Sequence, residues 1–232
     1  MLKTNENHLV KMAVQGKPAN PLRFAEFEMD AEGRGHSLPS VGGITYNSAF
    51  GWRGDHIEPG VSMILDEEKR SSKQNMAFQF LACVGNEAAV ISGAAKGAKG
   101  TVVGHHGGVE HMIVDFEDKT LDKLTYDDKI LIKAFGQGLQ LADFPDVSVY
   151  NLDPRVLRAW NIKVTGGKLE VPVALMVPSA LMGSGLGHGD PGTGDYDITT
   201  QDPKAVKRYG LDRLRFGDFV AIMDADNTYG RH

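Results

Sequence analysis

A single cysteine, Cys83, stands in a chain of 232 residues. An intramolecular disulfide is therefore excluded, and the chain matches a reducing compartment. With Phe80, Leu81, Ala82 and Val84 around it, Cys83 reads as a packed thiol rather than a nucleophile. No run of about eighteen apolar residues is present, and the N-terminus carries no apolar leader core. A surplus of basic charge is missing too: 25 Lys and Arg face 30 Asp and Glu, a formal net charge of −5. The basic residues are scattered, which argues against a nucleic-acid surface. Neither a Walker spacing nor a helix-opening Gly-x-Gly-x-x-Gly occurs, so Lys96 and Lys99 between glycines read as a solvated turn. These absences predict a cytoplasmic protein with no membrane or nucleic-acid partner.

What the chain has in abundance is glycine, 28 residues against an average share of roughly 7%. Many tight turns follow. The length suffices for a substantial core, arranged as one β-rich domain over 1–232 or as two interleaved barrel-like lobes at about 1–140 and 141–232. The fold class expected is mainly β with a few helices (α+β), with long glycine-rich loops joining one or two barrel-like lobes.

Local patterns give the elements. Residues 8–29 alternate and are broken at Gly16-Lys-Pro-Ala-Asn-Pro21, which predicts two strands around a turn. A helix is expected from Ser71 to Val84, with Ser71 or Ser72 as N-cap, Gly85 past its end and a packed face of Met76, Ala77, Phe80, Leu81 and Val84. Strands follow at 88–92, 100–103 and 109–116, the last two forming a hairpin around Gly104-His-His-Gly-Gly108. A short helix capped by Asp153 with Pro154 at its first position comes next, then a strand at 168–178 and a helix at 203–209. Leu124-Thr-Tyr-Asp-Asp-Lys-Ile-Leu-Ile-Lys-Ala134 is echoed by Leu214-Arg-Phe-Gly-Asp-Phe-Val-Ala-Ile-Met-Asp224, each a turn with an aspartate feeding an alternating strand. The echo predicts turn hydrogen bonds to Asp128 and Asp218, and burial of Ile130, Ile132, Val220 and Ile222. The chain ends in Asp224-Ala-Asp-Asn-Thr-Tyr-Gly-Arg-His232 just after a strand pattern, which predicts a natural C-terminus further on; the same stretch lacks the central glycine of a calcium loop.

Chemistry concentrates where three of the eight histidines fall in Gly104-His-His-Gly-Gly-Val-Glu-His111. Imidazole binds borderline metals and moves protons near neutral pH, and glycine lets the backbone fold such groups together. Adjacent histidines point to opposite sides of a strand, so only one of His105 and His106 joins His111. The expected catalytic set is His105 and His111 with His188 and Asp190 from the second glycine-rich segment. Asp55, His56 and Glu58, which pair carboxylates with an imidazole, are expected to line the ligand together with Gly107, Gly108, Ser184 and Asp195. Ser184 lacks the Gly-x-Ser-x-Gly strand–turn–helix of a nucleophile elbow. No His-x-His or His-x-x-x-His spacing marks a metal site, although the histidine content admits a divalent metal as cofactor.

The stretches Gly54-Asp-His-Ile-Glu-Pro-Gly-Val-Ser62, Gly100-Thr-Val-Val-Gly-His-His-Gly-Gly-Val-Glu-His111, Leu181-Met-Gly-Ser-Gly-Leu-Gly187, Gly194-Asp-Tyr-Asp-Ile198 and Arg215-Phe-Gly-Asp-Phe-Val-Ala-Ile222 resemble a prokaryotic family, DUF4438, a domain of unknown function. The resemblance spans nearly the whole chain and implies no activity. A second likeness runs from Leu169 to Asp190, which is similar to the acetamidase/formamidase segment in which a Pro-Val strand leads to a small-residue run. That family's Gly-Asp-x-His order and its Gln-Gly-Asp-Gly-Glu are missing here.

Three functions fit this reading. The first is an enzyme acting on a small polar metabolite at a glycine- and histidine-rich cleft, with or without a metal. The second is a non-catalytic barrel that binds a small ligand or anion through backbone amides. The third is a structural homo-oligomer joined through apolar segments such as Val177-Pro-Ser-Ala-Leu-Met182.

Overall fold

The computed structural model describes residues 2–23, 28–29, 32–36, 41–46, 58–183, 196–200, 202–215 and 217–224. Its strands, in chain order, are β1 (Lys11–Pro18), β2 (Glu28–Met29), β3 (Gly35–His36), β4 (Ile44–Thr45), β5 (Gly60–Ile64), β6 (Glu87–Val90), β7 (Lys99–His106), β8 (His111–Asp115), β9 (Ile130–Phe135), β10 (Lys163–Thr165), β11 (Lys168–Glu170), β12 (Leu175–Pro178) and β13 (Val220–Met223). The α-helices are α1 (Lys73–Leu81), α2 (Asp118–Leu121), α3 (Pro154–Ala159) and α4 (Pro203–Tyr209). The protein is mainly β with a few helices, as expected. Among the described residues no helix is long and apolar enough to cross a membrane.

The chain forms two compact units, Met12–Ala82 with Asn86–Ala134, and Met1–Lys11 with Cys83–Gly85 and Phe135–His232. The first holds a closed barrel. Its strands run in the order β1-β9-β6-β7-β8-β5, β5 pairs back onto β1 through Lys17↔Ile64 and Pro18↔Met63, and β4 adds to β5 as a seventh strand. Closure removes the exposed edges an open sheet would leave.

Side-chain alternation fills the barrel. Val61 and Met63 of β5, Val102 of β7, Met112 and Val114 of β8, Ala88 and Val90 of β6, and Ile130 and Ile132 of β9 form one buried cluster, joined by Phe78 and Ala82. The opposite face of β5 and β8 is also buried, with Ser62 paired to Ile113 in the ladder, so all five residues of β5 are inaccessible. A register shift between Val102 and Gly104 re-aims the end of β7.

Several expectations are corrected. The predicted break at Gly16 is a continuous strand, because Gly16 serves close packing: a Cβ there would lie 2.8 Å from the Ile64 carbonyl oxygen and 2.9 Å from Phe78 Cζ. Helix α1 is capped by Ser72, whose hydroxyl accepts from Asn75 N–H. Its buried face, however, is Asn75, Phe78 and Gln79, while Met76 and Phe80 are about half exposed. The polar members are affordable inside because Asn75 accepts from Leu65 N–H and donates to the Arg70 carbonyl, and Gln79 donates to the Glu110 carbonyl. The strand expected at 168–178 is split into β11 and β12.

The second unit has cores around Leu139, Leu141, Leu152 and Leu157 and around Val177, Met182 and Leu211. Trp160 stacks on Phe219 at 3.8 Å between ring centroids. Both expected proline-opened helices form: Asp153 accepts from Arg155 N–H to start α3, and Asp202 accepts from Lys204 and Ala205 N–H to start α4, which ends at left-handed Gly210. Cys83 is fully buried and its thiol is pushed up to about 12 by burial and then by the Asp153 charge, so it is a packed group. The echoed turns are alike. Thr125 N–H donates to Asp128 and Arg215 N–H to Asp218, each three residues back. The strands beyond them differ: Ile130 and Ile132 are in the barrel interior, whereas Val220 and Ile222 are half-buried in a parallel pair with β12.

Candidate functional site

Glu58 lies just ahead of β5, where Gly60 takes a left-handed φ of +77° against the Val114 carbonyl. The close approach of backbone there leaves no room for a Cβ, and it places the Glu58 carboxylate against the end of the β7–β8 hairpin. Strands β7 and β8 pair from Thr101↔Asp115 to His106↔His111, with the four residues 107–110 as the turn. Directly opposed residues share a face. His106 and His111 therefore point the same way, and Ser62 on β5 lies on that face beside them.

The carboxylate gathers all three. His111 Nδ1–H donates to Glu58 Oε2 at 2.9 Å and to Oε1 at 3.1 Å. His106 Nδ1–H donates to Oε1 and the Ser62 hydroxyl to Oε2. Glu58 is 2% exposed and His111 fully buried. Burial alone would raise the carboxyl pKa; the hydrogen bonds from His106 and His111, the attraction of His111 and the Ser62 hydroxyl outweigh it and hold it down near 2. An ionised carboxylate accepts only, so each histidine turns its Nδ1–H inward. The other nitrogen of His111, Nε2, is buried and has no hydrogen-bond partner among the described residues. Gly42 flanks this ring at φ +87°, and a Cβ there would lie 3.0 Å from His111 Cε1.

His105 faces the other way. Its Nε2–H donates to the Ala82 carbonyl at 3.1 Å at the end of α1. Burial lowers its pKa to about 4 against the opposing effect of that bond, so it is neutral at pH 7. The place beside His111 that the sequence reading gave to His105 is taken by His106, because four turn residues, not five, separate the paired positions. Gly107 and Gly108 lie in the turn itself, Gly108 exposed at φ +74°. His188, Asp190, Asp55, His56, Ser184 and Asp195 lie outside the described residues, as does most of the segment expected to share a cleft with the hairpin. Sequence reasoning missed Ser62, which looks like any strand serine, and left His106 out of the set. The parity of the turn was the available signal for His106.

An ionised, buried carboxylate that orients two imidazoles is suited to proton transfer, and on His111 the Nε2, on the side away from Glu58, is the atom left to take or give a proton. The same arrangement orients histidines that ligate metals. Among the described residues, no group of three or more His, Cys, Asp or Glu side chains is placed to hold a metal ion.

The chain belongs to the DUF4438 family. The model described as "Domain of unknown function (DUF4438), N-terminal" matches residues 27–158, and that of the C-terminal domain matches residues 159–232. A solved structure, "Crystal structure of TM1086", is 43% identical with a TM-score of 0.87, covering 99% of this chain and 81% of that chain. The likeness to acetamidase/formamidase is not shown by these comparisons. No curated protein matches the chain.

Proposed function

We propose that the protein is a cytoplasmic enzyme acting on a small polar metabolite, with Glu58, His106 and His111 as its acid–base centre. The observation that carries this reading is the orphaned Nε2 of His111, held by a carboxylate in a buried setting. A buried polar nitrogen without a partner costs on the order of 1–3 kcal/mol, and such a cost persists where the group meets a ligand. Glu58 fixes the proton on Nδ1, leaving Nε2 as the base toward an O–H or N–H of the substrate. Ser62 holds Glu58 and does not itself need to reach the substrate. His105, bonded to backbone, acts in this reading as support for the hairpin rather than as a proton carrier. His188, Asp190, Asp55, His56, Ser184, Asp195, Gly107 and Gly108 are proposed to contact the ligand.

The test is a screen of small polar metabolites for ligand-induced melting shifts and for turnover, with bound metal measured on the same protein. Compounds that are turned over by the parent should be bound but not converted by His111→Gln. Binding without conversion by the parent would favour the ligand-binding barrel instead, and conversion at the parent rate by His111→Gln would remove the acid–base reading.

A further inference from the structure

The residue immediately before each imidazole of the site is tied to the same helix. His105, which precedes His106, donates to the carbonyl of Ala82 at the C-terminal end of α1. Glu110, which precedes His111, has its carbonyl bonded by the side-chain amide of Gln79, one turn earlier on α1, at 2.6 Å. Gln79 is only 6% exposed, and a buried amide with a short bond to one backbone oxygen is held in place. Glu110 is also strained: its φ is +59°, one of three non-glycine residues in the left-handed region among those described. An acidic residue with a Cβ adopts that conformation only where its surroundings hold it there.

Successive residues of a strand point to opposite faces. His105 on β7 therefore faces α1 while His106 faces Glu58; Glu110 lies in the turn, and the bond to its carbonyl fixes the peptide unit that joins it to His111, where β8 begins. We infer that Gln79 is a positioning residue of the site: by clamping the Glu110 carbonyl it holds the turn 107–110 in the geometry that keeps His111 Nδ1–H on Glu58. The role of what it positions rests on the acid–base reading above, but the clamp itself does not depend on turnover. Helix α1 thus has a function beyond closing the core with Phe78. It is the brace on which the histidine hairpin is set, through Gln79 and the Ala82 carbonyl.

The experiment is nitrogen-15 NMR of the histidine rings. The parent should show a protected, downfield Nδ1–H resonance for His111. Gln79→Met keeps the length and packing of the side chain and removes the donor, so this resonance should broaden or vanish through solvent exchange, while the barrel amides stay protected. Adding Glu110→Gly, which removes the strain the clamp opposes, should restore it. If Gln79→Met does not fold, Gln79→Asn, whose amide falls one methylene short, reads the same signal. An unchanged His111 resonance in a folded Gln79 variant, or a loss that Glu110→Gly does not restore, would overturn the inference. A wild-type rate in His111→Gln would remove the acid–base reading and leave the clamp standing, so the two failures are distinguishable.

Discussion

His106 and His111 are Cα partners across the β7–β8 hairpin, and both direct Nδ1 at the one carboxylate of Glu58. Long-range pairing makes this possible, since Glu58 lies 48 and 53 positions away in sequence. The carboxylate is buried with hydrogen bonds on both oxygens, which is the condition under which a charge is tolerated inside a protein.

Removing that charge should be costly. Glu58→Gln would turn an amide N–H toward an imidazole N–H and leave one donor unsatisfied, with an expected loss of about 3 kcal/mol. Urea denaturation of parent and variant, at equal slope, measures it. Gly42→Ala should also destabilise, by on the order of 1 kcal/mol, because the new methyl meets His111 Cε1 in a left-handed backbone.

Acid should weaken the protein in two windows. His105 has its folded pKa lowered from 6.5 to about 4, so the unfolded chain takes up that proton first and stability falls as pH drops from about 6.5 toward 4. Glu58 has its folded pKa lowered from 4.5 to about 2. Its contribution is present above about 4.5 and is lost as pH falls through about 2. A melting-temperature series from pH 8 to pH 2 should therefore begin to decline near pH 6.5, and His105→Gln should remove the upper part of the decline.

The two echoed turns should differ in weight although they share a hydrogen bond. Asp128 is 3% exposed and accepts from Thr125 N–H, the Thr125 hydroxyl and Ser92, whereas exposed Asp218 accepts from Arg215 N–H. Asp128→Ala should cost roughly 3 kcal/mol and Asp218→Ala about 1 kcal/mol. Equal losses in chemical denaturation would contradict this account of the turns.

The thiol provides a further check. With a pKa near 12 and no exposure, Cys83 should resist maleimide and thiol–disulfide reagents in the native protein and react once denaturant unfolds it. Rapid labelling of the folded protein would show that its surroundings open.

Much of the fold was legible from local signals. Ser72 before a helical run, Asp153-Pro154, and Asp202-Pro203 with Gly210 behind them each place their helix, because a cap is a bond between near neighbours. The face of α1 was not legible. A helix carrying Met76 and Phe80 outward and Asn75 and Gln79 inward inverts the usual pattern, and only the backbone groups supplied by Leu65, Arg70 and Glu110 make that face tolerable. The site divides in the same way. His111 and Glu58 carry the right chemistry in sequence, but the choice of His106 over His105 depends on whether the paired positions flank four turn residues, which one shifted register reverses. Gly16 reads as a turn and is a contact, since a backbone approach from Ile64 leaves no trace in the neighbouring residues.

The most direct measurement of the central claim is the protonation pattern of the His111 ring at pH 8, read from its two nitrogen-15 shifts. A buried, ionised Glu58 predicts a proton on Nδ1 and a bare Nε2, with that preference lost in Glu58→Gln. A proton on Nε2 with bare Nδ1 in the parent would contradict the account, because the nitrogen assigned to the substrate would then have no lone pair to accept with.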